Sequence, residues 1–183
     1  MSAVRLQLER TAVLVVDVQE KLLPVMDESD HVLQQIGKLV DGAAALQLPT
    51  LVTEQYRQGL GCTVQQLATK LTHAVCNEEK MSFSACIEPI CHRLKETGTR
   101  SVLVCGIEAH VCVLQSCLDL IDAGFIVAVV VDAIGSRRAV DRESAVQRMV
   151  QAGVLPTTVE AALLELVHEA GSDRFKAVLP IIK

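Results

Sequence analysis

Tryptophan is absent from this chain, tyrosine occurs once and phenylalanine three times, while apolar residues make up 50% of the sequence. A core of that composition has to be built from Val, Leu, Ile and Ala, the palette of a parallel sheet buried under helices on both faces. An excess of basic residues is also missing, since the net charge is −5. This leaves no basic face with interleaved aromatics for nucleic acid and nothing to hold an anionic membrane surface. Long hydrophobic runs are lacking too: Ala12 to Val16 and Phe125 to Val131 are far too short to cross a bilayer as helices. No secretory segment is legible at the N-terminus. The seven cysteines are odd in number, irregular in spacing and without a C-x-x-C pair, so they read as reduced thiols in the cytoplasm rather than as a disulfide framework.

The length of 183 residues suits one domain able to bury roughly two thirds of the surface its unfolded form exposes. No linker-like cluster, low-complexity tract or fixed repeat divides it, so residues 1–183 read as a single domain. Short β-rich blocks recur at Ala12 to Val16, Thr50 to Thr53, Ser101 to Cys105, Phe125 to Val131 and, more weakly, Val154 to Thr158. A further short strand is expected at Ala74 to Cys76. Between the blocks lie helical patterns. His31 to Leu46 carries Val32, Leu33, Ile36, Leu39, Val40 and Ala43 on one face. Cys86 to Thr97 and Val111 to Ala123 each stop at a glycine, Gly98 and Gly124. Two more helices are expected over Asp141 to Ala152, capped by Asp141, and Val159 to Ala170, capped by Thr157 or Thr158. Strands alternating with helices predict an α/β fold, a three-layer α/β/α domain on a mostly parallel sheet. The segment Glu54 to Glu79 is the least regular and is where an active-site loop is expected.

In an open parallel sheet, ligands bind beyond the carboxyl ends of the strands. Three such exits carry reactive groups. Asp17 follows four aliphatic residues, Val13 to Val16. Cys112 is expected in the first turn of the helix after Gly106, where free backbone N–H groups and the helix dipole favour a thiolate and could hold an oxyanion. Lys80 follows the short strand expected at Ala74 to Cys76, and an ammonium between a carboxylate and a thiol favours both as anions. Taken singly, each has a plainer reading: a turn-forming Asp, a small buried thiol, a solvated Lys.

Together, and in that chain order, they resemble the isochorismatase-like cysteine hydrolases, a family that includes nicotinamidases and carbamoyl-amide hydrolases. The pieces that carry the resemblance are Val15-Val16-Asp17-Val18-Gln19-Glu20-Lys21, Thr53-Glu54-Gln55-Tyr56-Arg57-Gln58-Gly59-Leu60-Gly61, Lys80-Met81-Ser82-Phe83-Ser84, Gly106-Ile107-Glu108-Ala109-His110-Val111-Cys112-Val113 and Val131-Asp132-Ala133. They span the chain from about Thr11 to about Glu169, and Thr53 to Gly61 is similar to the isochorismatase-domain-containing branch. The resemblance implies a Rossmann-like topology, a catalytic set of Asp17, Lys80 and Cys112, a cis peptide between Ile107 and Glu108, and an oxyanion hole from the N–H groups of Glu108 and Cys112. Gln19, Glu54, Tyr56 and His110 are the implied substrate-pocket residues. Two positions depart from the family pattern. Ala109 stands where many members have Thr. Gln55 and Arg57 stand where metal-dependent members have Asp and His, and neither is a good ligand for a transition metal.

The expectation is therefore a hydrolase that needs no metal and no cofactor, acts on a small amide, carbamoyl or ester substrate through a thioacyl intermediate on Cys112, and assembles as a homo-oligomer. Three readings compete: acid-catalysed hydrolysis of a vinyl ether, a non-catalytic binding or scaffold protein on the same fold, and a redox sensor built on an oxidisable thiol.

Overall fold

The computed structural model of the chain describes residues 4–183. Its strands are β1 Thr11–Val16, β2 Thr50–Gln55, β3 Cys76–Lys80, β4 Ser101–Ile107, β5 Ile126–Gly135 and β6 Leu155–Thr157. They form one six-stranded sheet in the order β3-β2-β1-β4-β5-β6, parallel throughout. The longer helices are α1 Ser29–Ala45, α2 Glu88–Glu96, α3 Leu114–Asp122, α4 Ala139–Gln151, α5 Val159–Val167 and α6 Asp173–Ile182. The strand order runs outward in both directions from β1 and β4, and the carboxyl ends of these two strands are where open sheets of this kind bind ligands in a crevice.

Alternation along the buried strands feeds two cores. Val13, Val15, Leu103, Cys105 and Ile107 point to one face, where they meet Val32, Ile36 and Val40 of α1, Leu163 and Leu166 of α5 and Val178 of α6. Leu14, Val16, Val102 and Val104 point to the other, against Ile90 and Leu94 of α2, Leu120 of α3 and Met149 of α4. Each such aliphatic side chain withdrawn from water contributes roughly 1.5–3 kcal/mol, which is how a chain almost without aromatics builds its core. Gly106 is the one position at the crevice where only glycine serves. Its φ is +117°, and a Cβ there would stand 2.1 Å from the carbonyl oxygen of Val16.

The structure departs from expectation at several elements. The third strand is not Ala74 to Cys76 but Cys76–Lys80, an edge strand whose exposure alternates along Cys-Asn-Glu-Glu-Lys. One free edge and a half-exposed face tolerate charges that a central strand would exclude, so hydrophobicity does not mark it. Helix α4 begins earlier than expected, with Arg138 at its cap, and Asp141 instead sits in the first turn accepting from Arg138 Nε at 2.6 Å. Helix α5 is capped as expected by Thr158, whose Oγ1 accepts from the Ala161 N–H. The C-terminal α6 has no counterpart in the sequence reading. Ser172 caps it by accepting from the Phe175 N–H at 3.1 Å, and Phe175, Val178 and Ile182 pack it onto the core.

Candidate active site

Asp17 is the first residue beyond β1 and adopts the left-handed conformation at φ 53°. A short polar side chain tolerates that region better than most residues, and here the turn swings the carboxylate back over the sheet. The Asp17 N–H donates to the Thr53 carbonyl at 3.0 Å, continuing the β1–β2 ladder. Thr53 Oγ1 then donates to Asp17 Oδ1 at 2.9 Å, and Lys80 Nζ donates to Oδ2 at 2.7 Å. Both side chains of this ion pair are fully buried.

Lys80 reaches this position because parallel pairing sets it opposite Gln55 at the end of β3. Its Nζ also donates to Gln55 Oε1 at 2.7 Å and to the carbonyls of Phe83 at 2.9 Å and Ser82 at 3.2 Å. A buried ammonium is tolerable only when its donors are met in this way. The loop after β3 therefore folds back over the lysine that precedes it.

Cys112 lies between β4 and α3 in a π-helical turn, Ala109–Val113, rather than in the first turn of an α-helix. The Val113 N–H donates five residues back to the Glu108 carbonyl at 3.2 Å. Such wide turns are frequent at functional sites. The peptide bond between Ile107 and Glu108, just before it, is cis. Ser116 fastens the turn from below: its Oγ donates to the Cys112 carbonyl at 2.6 Å and accepts from the Ala85 N–H at 2.7 Å.

The Cys112 residue is 6% exposed. Its thiol lies close enough to Asp17 and Lys80 to feel the charge of each. Burial is the largest influence and pushes the thiol up to about 12; the Asp17 carboxylate adds to that, and Lys80 opposes it. Burial thus works against the resting thiolate that the helix end and the ammonium would favour. Desolvation penalises the sulfur anion by more than the single cation returns, and that cation is already engaged by Asp17.

The remaining expected pocket residues separate. Gln19, fully buried, spends its side chain on the scaffold: Nε2 donates to the carbonyls of Gln55 at 2.9 Å and Gly61 at 2.6 Å, and Oε1 accepts from the Gln55 N–H at 2.7 Å. Glu54 is also withdrawn from the pocket, for a physical reason. It follows Thr53, which faces Asp17, so strand alternation turns it to the opposite side of the sheet. There it accepts from the Thr63 N–H at 2.5 Å and Thr63 Oγ1 at 2.6 Å and pairs with Arg57, which together hold its carboxyl below the usual range despite burial that works the other way. Tyr56 is 43% exposed with its ring against Gly59. His110 Nδ1 pairs with Ser136 Oγ at 3.0 Å on the α4 side of the turn. The Glu108 carboxylate is engaged by Arg137 Nε at 3.0 Å.

Gln55 and Arg57, at the two metal-ligand positions, are engaged by Lys80 and Glu54. Among the described residues no group of three or more His, Cys, Asp or Glu is placed to hold a metal ion. Three functional partners went unrecognised in the sequence: Thr53, Gln55 and Ser116. Their signal was available as polar residues at positions where the strand or helix pattern demands burial.

A model of the isochorismatase domain matches residues 11–161. The secreted isochorismatase effector Isc1 of Phytophthora sojae is 39% identical over 173 residues, which is 92% of this chain and 82% of that protein. Among solved structures, a Caenorhabditis elegans protein named MAR1 ribonuclease superposes with a TM-score of 0.94 at 41% identity, covering 98% of this chain and 92% of that one. The Escherichia coli YcaC gene product, described as an octameric hydrolase of unknown specificity, gives 0.91 at 30% identity, covering 100% and 91%.

Proposed function

The chain belongs to the isochorismatase family of hydrolases, and from that premise we propose that it cleaves a small amide, carbamoyl or ester substrate through a thioacyl intermediate on Cys112. The observation that carries the reading is the buried Asp17–Lys80 pair set against a thiol. A carboxylate and an ammonium withdrawn from water beside a sulfur that keeps its proton make a general-base arrangement in which charge is created only at the moment of attack. Asp17 takes the Cys112 proton as the sulfur attacks the carbonyl carbon. The N–H groups of Glu108 and Cys112 receive the oxyanion. Asp17 then returns the proton to the leaving amine or alcohol and activates the water that releases the acid. Lys80 keeps Asp17 ionised between these steps and orients it.

A nucleophile residue only 6% exposed leaves a narrow approach, which favours a small acyl group. His110, tethered to Ser136, is the pocket residue that fits the role of contacting substrate at the mouth; Gln19 and Glu54 act on the scaffold. We read residues 1–183 as one domain working in a reducing, cytoplasmic setting, unlike the secreted Phytophthora relative, because all seven cysteines are free. No helix among the described residues is long and apolar enough to cross a membrane. Assembly as a homo-oligomer follows the octameric E. coli relative.

The test is a panel of small amides, carbamoyl compounds and esters, with RNA added because of the name borne by the C. elegans neighbour. The wild type turns over at least one small carbonyl compound, and Cys112→Ala loses about 10³-fold or more of that rate with an unchanged circular dichroism melt. A mass increment equal to the acyl group on Cys112 marks the intermediate. Full activity in Cys112→Ala overturns the mechanism, and cleavage confined to RNA overturns the substrate class, which the net charge of −5 already disfavours.

A further inference from the structure

A second pair of sulfurs lies outside the proposed chemistry. Cys86 precedes α2, Cys91 lies within it, and their Sγ atoms are 2.9 Å apart. Both residues are partly exposed, so a small reagent reaches them. This is closer than two sulfurs rest without interacting, and forming a bond at about 2.05 Å requires less than about 1 Å of approach. No other side chain needs to move between them. The connecting segment is also short, since Ile87 to Ile90 alone separates the two residues.

The chain on the N-terminal side of Cys86 is the same segment that closes over Lys80. Ser82 and Phe83 supply carbonyls to the lysine Nζ. The Cys86 N–H donates to Ser84 Oγ at 3.1 Å, and the Ala85 N–H donates to Ser116 Oγ, which in turn holds the Cys112 carbonyl. A restraint placed on Cys86 therefore acts on a stretch bonded at one end to Lys80 and in its middle to the turn that carries Cys112.

We propose that Cys86 and Cys91 form a redox pair that closes to a disulfide by exchange with a low-molecular-weight disulfide of the glutathione type, and that closure locks the segment covering Lys80. In the first step the Cys91 sulfur, as thiolate, attacks one sulfur of the reagent; a mixed disulfide forms and one small thiolate leaves. In the second, the Cys86 sulfur attacks the Cys91 sulfur of the mixed disulfide, the intramolecular S–S bond forms, and the second small thiolate leaves. The two protons given up by the protein end on the two small thiols, so two protein thiols are oxidised as one reagent disulfide is reduced. Burial and the bond from Cys91 push the Cys86 thiol up to about 12, consistent with Cys91 making the first attack.

The full-length native protein is incubated with oxidised glutathione, alkylated, digested with trypsin without reduction and weighed. Cleavage after Lys80 and Arg93 releases Met81 to Arg93, a peptide holding these two cysteines and no others. The expected result is an unalkylated peptide about 2 Da lighter than the dithiol form, restored by dithiothreitol. Amide exchange at Ser84 to Ile87 slows by about tenfold in the oxidised protein, as a cross-link suppresses local opening. Cys91→Ser shows neither change under the same treatment. Two alkylated cysteines in the oxidant-treated peptide overturn the pair; a disulfide without slowed exchange, or equal slowing in Cys91→Ser, overturns the lock. None of these readouts uses turnover, so they stand or fall separately from the role given to Cys112.

Discussion

Replacing Lys80 with Met tests whether the buried ion pair organises the site. Methionine has similar length and no donor, so the change removes one charge while roughly preserving volume. At 2.7 Å the pair's gross attraction is about 6 kcal/mol for an effective dielectric constant near 20. The folded protein does not lose all of that, because the cost of burying the ammonium disappears with it. What remains is an Asp17 carboxylate without its cation, together with the Gln55, Ser82 and Phe83 oxygens that Lys80 satisfied. Truncating one partner of such a pair costs about 3–5 kcal/mol. With a urea m-value of about 2 kcal/mol/M, the unfolding midpoint falls by about 1.5–2.5 M. Adding Asp17→Asn to Lys80→Met removes the stranded charge, so the double variant is less destabilised than the sum of the two singles by about 2 kcal/mol or more. A Lys80→Met midpoint within about 0.5 M of wild type, or single effects that simply add, refutes the claim that the two charges hold each other in the interior.

Gly106→Ala places a methyl group against the Val16 carbonyl in a backbone region that L-residues avoid; a loss of about 2–6 kcal/mol is expected in thermal or urea unfolding. Gly98→Ala, at φ +70° with open space around it, loses only about 1–2 kcal/mol, and equal losses at the two sites would contradict the close-approach argument. Alkaline unfolding reports the buried thiols. Burial pushes both Cys112 and Cys117 up to about 12, so between the free-thiol pKa near 8.5 and that value the unfolded chain releases protons the native state keeps. Stability from these groups is complete below about pH 8.5 and falls by about 1.4 kcal/mol per pH unit per thiol above it. A urea midpoint unchanged from pH 8 to pH 10.5 would contradict the burial-driven shift.

The central architecture was legible because β1, β4 and β5 are runs of buried aliphatics whose only stable home is between two helical layers. Asp17 could be placed at a strand exit from that pattern, and Cys112 at the start of the helix beyond the glycine exit, though only the family resemblance singled the two out as a set. Lys80 was harder. Its strand, Cys76–Lys80, has an edge strand's polar alternation, and only the register with β2 sets the lysine beside Asp17. Gln19 and Glu54 show the opposite failure. Both stand in motif positions that attract a binding role, yet whether a polar side chain meets the pocket or the scaffold depends on which way the strand or turn points it. The C-terminal α6 was missed because Pro180 lies inside it and a proline normally reads as a stop.

The protonation state of Cys112 decides how the site's parts divide the work. Had the sulfur rested as a thiolate, Lys80 would be its counterion and Asp17, bonded to the same lysine, would compete for that charge. The structure instead gives the ammonium directly to Asp17 at 2.7 Å and surrounds the sulfur with more desolvation than the cation offsets. A buried site then carries one compensated ion pair before the reaction rather than two anions sharing one cation, which is the less costly resting arrangement. In the proposed mechanism the proton moves from sulfur to Asp17, the negative charge passes by way of the attacking sulfur to the carbonyl oxygen, and the net charge of the site does not change. Lys80 holds Asp17 directly and its charge also acts on the sulfur. The ends of β1 and β2 and the loop after β3 meet on one lysine nitrogen, and in the proposed mechanism that single buried cation offsets the negative charge of the site as it moves.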